Sequence, residues 1–66
     1  MSELIKKYVG EMIEENCEAI YDEIAEHEDV KEVQDNGDSG KYYGYKWYTV
    51  VDQDGEDVFD FYMKWN

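Results

Sequence analysis

The chain has 66 residues, of which 42% are hydrophobic and 17% aromatic, with no Pro and a single cysteine. That is one domain near the lower size limit for folding alone, too apolar for simple disorder and unable to form an internal disulfide. Eighteen Asp and Glu face six Lys and no Arg, a formal net charge of −12. Such an excess repels nucleic acid and exceeds what solubility requires.

Residues 2–28 carry a helical pattern. Ser2 suits the N-cap and Glu3 the first turn. Apolar residues recur in steps of three and four at Ile5, Val9, Met12, Ile13, Cys17, Ile20 and Ile24. At roughly 100° per residue, Ile13, Cys17, Ile20 and Ile24 share one face, whereas Leu4 and Tyr8 fall outside it. Either the helix bends near Gly10 or its first turns pack elsewhere, against a second subunit for example. Monomer and homodimer both stay open.

Beyond Glu28 the period becomes two. Val30–Gln34 reads as a strand, DNGDSG (35–40) as a turn, Lys41–Val51 as a second strand, DQDGE (52–56) as a turn and Asp57–Trp65 as a third strand. Phe59, Phe61, Met63 and Trp65 share a face of the last strand. In the second, Lys46 and Gly44 suit solvent, which turns Tyr43, Tyr45 and Trp47 inward. The expected fold is α+β, in the order α-β-β-β: one long N-terminal helix packed on a three-stranded antiparallel meander.

KYYGYKWY (41–48) approaches the aromatic strand of RNA-recognition domains. Lys41, Tyr43, Gly44, Tyr45 and Tyr48 fit, while Tyr42 and Lys46 stand where that pattern has Gly and Val. Single-strand binders pair stacking with a positive groove, and here the flanking turns are acidic. Direct nucleic-acid binding is therefore not expected. Tyr42, Tyr48 and Tyr62 are instead candidates for a protein contact, because half-buried tyrosine is favoured at interfaces.

The acids on the helix are ordered. Glu11, Glu14, Glu15, Glu18, Asp22 and Glu26 fall within a third of the circumference, and after Lys7 no basic residue interrupts them. As one helix the row would run about 22 Å, the length of roughly six phosphate steps of one DNA strand. Asp35, Asp38, Asp52, Asp54, Glu56 and Asp57 offer a second patch in the turns. On size, charge, absent Arg and this row, the chain resembles the small acidic phage-encoded DNA mimics. These include inhibitors of uracil-DNA glycosylase, anti-restriction and anti-CRISPR proteins, and Bacillus-phage inhibitors of the nucleoid protein HU. The resemblance implies an inhibitor that occupies the DNA-binding surface of a basic host protein, HU foremost, with these twelve acids as contact residues. It also implies residence in the host cytoplasm, at the nucleoid through the partner. The alternatives are an anti-CRISPR or anti-restriction DNA mimic, or a non-mimic interaction adaptor using the tyrosine-rich sheet face.

Enzymatic chemistry finds little footing. His27 and Cys17 sit ten residues apart, about 15 Å along a helix axis. No nucleophilic set, phosphate loop or zinc-ligand cluster is present, so neither catalysis nor a cofactor or metal is expected. DQDGED places Asp52 and Asp54 as a calcium loop would. However, Gly55 comes two positions early and Met63 stands where the bidentate Glu belongs, so a hairpin turn fits better. No apolar run nears the roughly 20 residues of a membrane span, and MSELIKK lacks a signal-peptide core, so a soluble intracellular protein is expected.

Overall fold

A computed structural model describes residues 6–65. The elements are β1 (Met12–Ile13), α1 (Cys17–Ala25), β2 (Val30–Asp38), β3 (Tyr45–Asp52) and β4 (Asp57–Lys64). All four strands join one sheet in the order β1-β4-β3-β2. β1 runs parallel to β4, and the other two pairings are antiparallel. The expected α-β-β-β fold, with a long helix over three antiparallel strands, is thereby corrected. The sheet is mixed and four-stranded, and α1, the helix that packs on it, spans 9 residues. The Ser2 cap and the readings on Glu3, Leu4 and Ile5 lie outside the described residues.

The chain leaves the predicted helix for identifiable reasons. Gly10 adopts φ +69° and Asn16 φ 57°, both left-handed conformations incompatible with a continuing right-handed helix. Between them Glu11, Glu14 and Glu15 would meet Glu18 and one another at i,i+3 and i,i+4 spacing, where like charges repel. The extended path also supplies partners for β4. Gly10 N–H donates to the Asp60 carbonyl at 2.8 Å, and Tyr62 N–H donates to the Glu11 carbonyl at 2.8 Å. β4 carries Phe59, Phe61 and Met63 of the core, and without this segment more of its edge would expose unpaired backbone groups.

α1 then forms where the pattern is cleanest. Cys17, Ile20, Tyr21 and Ile24 recur at helical spacing, and Glu18 faces the positive end of the helix dipole. Its apolar side lies on one sheet face. Tyr8, Ile13, Ile24, Val30, Val50, Phe59, Phe61 and Met63 make the core, and Cys17, Ile20, Tyr21, Val33 and Tyr48 pack against it. Phe61 and Val50 are fully buried, and Ile24 is 1% exposed.

Register decides which side of β3 faces inward. Tyr48 lies opposite Phe61 and Val50 opposite Phe59, so Tyr48 and Val50 share the helix-covered face. Trp47 pairs with Tyr62, and Tyr45 with Lys64, on the opposite face. The expectation that Tyr43, Tyr45 and Trp47 point into the core is therefore reversed. Tyr43 lies outside the strand and is 95% exposed. Lys46 falls on the helix side, but at the strand's end, where its ammonium reaches Asp35 at 2.8 Å.

Candidate functional site

The structure divides the acidic row. Only Glu18, Asp22 and Glu26 follow one another along α1 and its C-cap, over about 12 Å. Glu11 and Glu14 flank β1, and Glu15 lies in the link to the helix. The continuous 22 Å helical ridge is thus replaced by a helical patch and a separate group at the sheet edge. Asp35 and Asp38 belong to β2, while Asp52, Asp54, Glu56 and Asp57 surround the β3–β4 turn. Asp38 pairs with Lys46 near the start of β3 and Asp52 ends that strand, so these six acids occupy both ends of the sheet.

Three of the twelve have local work. Asp35 forms an ion pair with Lys46 and accepts the Gly37 N–H at 2.8 Å; the ammonium first, then the amide, hold its carboxyl below the usual aspartate range. Asp52 accepts the N–H groups of Asp54 at 2.9 Å and Glu56 at 3.0 Å through Oδ1. With Gly55 at φ +84°, DQDGE is a hairpin turn. Glu14 accepts a hydrogen bond from the Tyr45 phenol. The other nine are exposed carboxylates. Indeed every described Asp and Glu except Asp29 and Asp52 is exposed. Among the described residues, Lys46–Asp35 is the one lysine–carboxylate ion pair.

The helix-free face of the sheet carries an aromatic group of which the sequence reading named Tyr42 and Tyr62 but placed Tyr45 and Trp47 in the core. Tyr42, Tyr45, Trp47 and Tyr62 lie there half-buried. The Tyr42 ring meets Tyr62 edge-on at 5.0 Å and Tyr45 at 6.5 Å. The β2–β3 connection brings Ser39, Gly40 and Lys41 beside Trp47 and Tyr62 around an open cleft of about 240 Å³. Beside it Thr49 accepts from Asn36 Nδ2 at 2.8 Å and donates to Asp60 at 2.9 Å. The proposed tyrosine trio is split: Tyr42 and Tyr62 face this side, whereas Tyr48 stacks on Phe61 beneath the helix at 5.3 Å. A signal for this was present. Counting equally outward from Asp54–Gly55 as a two-residue turn places Tyr48 opposite Phe61 and Trp47 opposite Tyr62.

Cys17 opens α1, its Sγ 3.5 Å from the Ile13 carbonyl and 3.7 Å from that of Lys64. His27 lies beyond the other end of the helix. Its Nδ1 lies 3.1 Å from the Asp29 amide nitrogen and 3.7 Å from the Asp29 carboxylate. Among the described residues no group of three or more His, Cys, Asp or Glu is arranged to hold a metal ion, and no helix is long and apolar enough to cross a membrane.

Comparison with known proteins finds no matching family model, no similar curated protein and no similar solved structure.

Proposed function

We propose that the protein is an acidic DNA mimic that occupies the DNA-binding surface of a basic host protein and blocks DNA binding, with the histone-like nucleoid protein HU as the leading target. The observation that carries this reading is unneutralised charge. Glu11, Glu15, Glu18, Asp22, Glu26, Asp38, Asp54, Glu56 and Asp57 are exposed, and no lysine among the described residues pairs with them. Magnitude supports the comparison with a nucleic acid. The molecule is 31 Å long, a length over which duplex DNA carries about 18 charges at one per roughly 1.7 Å. A formal charge of −12 is about two thirds of that. This argument needs no continuous helical ridge, because it depends on the density of charge over the whole molecule. A target that binds DNA without reading sequence suits charge and shape alone, and HU is such a protein.

The test is competition. Labelled duplex bound to HU is titrated with the protein and followed by fluorescence anisotropy at several salt concentrations. Release of the duplex, weakening with added salt, and no binding of duplex by the protein itself are expected. Duplex retained on HU at every protein concentration would remove HU as the target. Failure to recover any DNA-binding protein from bacterial lysate would remove the class.

A further inference from the structure

The helix covers one face of the sheet, and strand register sorts the other into a pattern. Met12 pairs with Tyr62, and Tyr62 with Trp47, so these three side chains stand in a row across β1, β4 and β3. Met12 is 38% exposed, and the open cleft lies over Trp47 and Tyr62. Tyr45 and Lys64 lie to one side of the row, and the loop that brings Lys41 to the cleft joins the sheet at that end. Glu14 reaches the same end through the Tyr45 phenol. Thr49 and Asp60 lie to the other side, with Gln34 paired to Thr49 and Glu32 bonded to Gln34. One end therefore holds both lysines of this face, and the other holds carboxylates alone.

Charge limits what such a face can meet. The chain carries −12 overall, yet here Lys41 and Lys64 stand against only Glu14, Asp60 and Glu32. Among the described residues neither lysine forms an ion pair within the chain. A strongly charged partner of either sign gains little from a surface this close to balance. A second copy is different. Its own excess of carboxylates repels it from acidic ground, and Glu18, Asp22 and Glu26 lie on α1, behind the sheet. The nearly balanced face is where two such chains repel least.

We propose that the helix-free sheet face is a two-fold contact between copies of this chain. Two sheets packed face to face about an axis along the Met12–Tyr62–Trp47 row set that row against its own image. The same rotation exchanges the two ends of the face. Lys64 of each copy then comes over Asp60 of the other, and Lys41 over the Gln34–Glu32 edge, each contact being made twice. Aromatic and apolar side chains interdigitate at the centre, and ion pairs close the rim. The two longest extents, 31 and 21 Å, bound less than the roughly 800 Å² that a standard interface takes from each partner. The dimer is therefore expected to be reversible. It does not depend on DNA mimicry, and it leaves α1 facing outward on both copies.

Sedimentation velocity over a range of protein concentrations, near physiological salt, is the test. Mean mass should climb from 7.9 kDa towards twice that value. Lys64→Glu and Asp60→Lys, each alone, set like charges against one another twice and should weaken the dimer about tenfold or more. Asp60→Lys does so while lowering the net negative charge, a change that would strengthen any contact governed by net charge alone. Mixed together, the two variants should dimerise again, because one then offers two negative groups and the other two positive ones. Met12→Glu changes an exposed side chain on the axis and should abolish the dimer. It keeps the test valid if Asp60→Lys, which loses the Thr49 bond, does not fold. A chain that stays monomeric at millimolar concentration would overturn the proposal. So would a dimer unchanged in both Lys64→Glu and Met12→Glu, or folded charge variants that do not recover on mixing.

Discussion

Tyr45 and Glu14, 31 residues apart in the chain, are joined by a hydrogen bond from phenol to carboxylate. The bond ties β3 to the segment that follows β1, and it can form only because that segment is not helical. It also makes the phenol reluctant to ionise, since a tyrosinate would face a carboxylate. The Glu14 bond, with some desolvation, raises the Tyr45 pKa; burial and then the Glu23 bond raise Tyr8; burial raises Tyr48. Phenols whose folded pKa is raised contribute stability that is fully present below the ordinary tyrosine value of about 10 and is lost as pH rises through the folded value. These phenols should therefore leave the melting temperature untouched below that range and lower it above. Tyrosinate absorbance should show late-titrating phenols, and the phenol lost in Tyr45→Phe should be one of them; a difference curve that titrates at the ordinary tyrosine value of about 10 would contradict the bond.

Gly10 gives a prediction whose sign separates the observed fold from a continuous helix. At φ +69° an alanine is strained although nothing lies within 4 Å of its added methyl group. Gly10→Ala should destabilise by about 1 kcal/mol. In a helix running through residue 10 the same change would stabilise by a similar amount. Urea denaturation measures the direction, and a gain in stability would restore the long helix.

What was readable from sequence followed the strongest periodicities. Of the four residues grouped on one face of the last strand, Phe59, Phe61 and Met63 are buried while Trp65 lies beyond β4 and is 55% exposed, and the Ile13, Cys17, Ile20, Ile24 set names residues that do reach the core. Ile13 reaches it from a strand, however, because one residue of β1 projects inward much as a helical position would. The parallel β1 was hidden for that reason: two residues carry no period, and their partner is some 50 positions away. The face of β3 was judged from Lys46 as a solvent residue, but a lysine at a strand end can lie on the inner face and still reach water and Asp35. The spatial division of the acids depended on the break at Gly10 and Asn16, which like-charge repulsion suggests but does not place.

The corrected face of β3 can be tested by substitution. Phe61→Ala should cost about 3–5 kcal/mol, enough to unfold a domain of this size, and Tyr48→Ala about 2 kcal/mol. Tyr43→Ala should fall within about 0.5 kcal/mol of the parent. The opposite ranking of Tyr48 and Tyr43 in chemical denaturation would turn the strand over again.

Salt and acid probe the carboxylates as a group, and one of them opposes the rest. With −12 net charge and one lysine–carboxylate pair among the described residues, repulsion should dominate at neutral pH and low salt. Added salt shortens the screening length from about 10 Å at 0.1 M to about 3 Å at 1 M, so melting temperature should rise. Mild acidification towards the carboxylate range should raise it too, as charge is lost. Asp35 acts in the other direction. Its pKa is lowered by Lys46 and then by the Gly37 amide, so its contribution is present above the ordinary aspartate value of about 3.9 and is lost as pH falls through the lower folded value. The profile should therefore climb from neutral pH, pass a maximum in weak acid and fall below about pH 4. Asp35→Asn removes the bond that acid would break, and its acid limb should be shallower. A melting temperature unmoved by salt would mean that the exposed carboxylates do not repel, which would also weaken the case for a surface built to be met by a cationic partner.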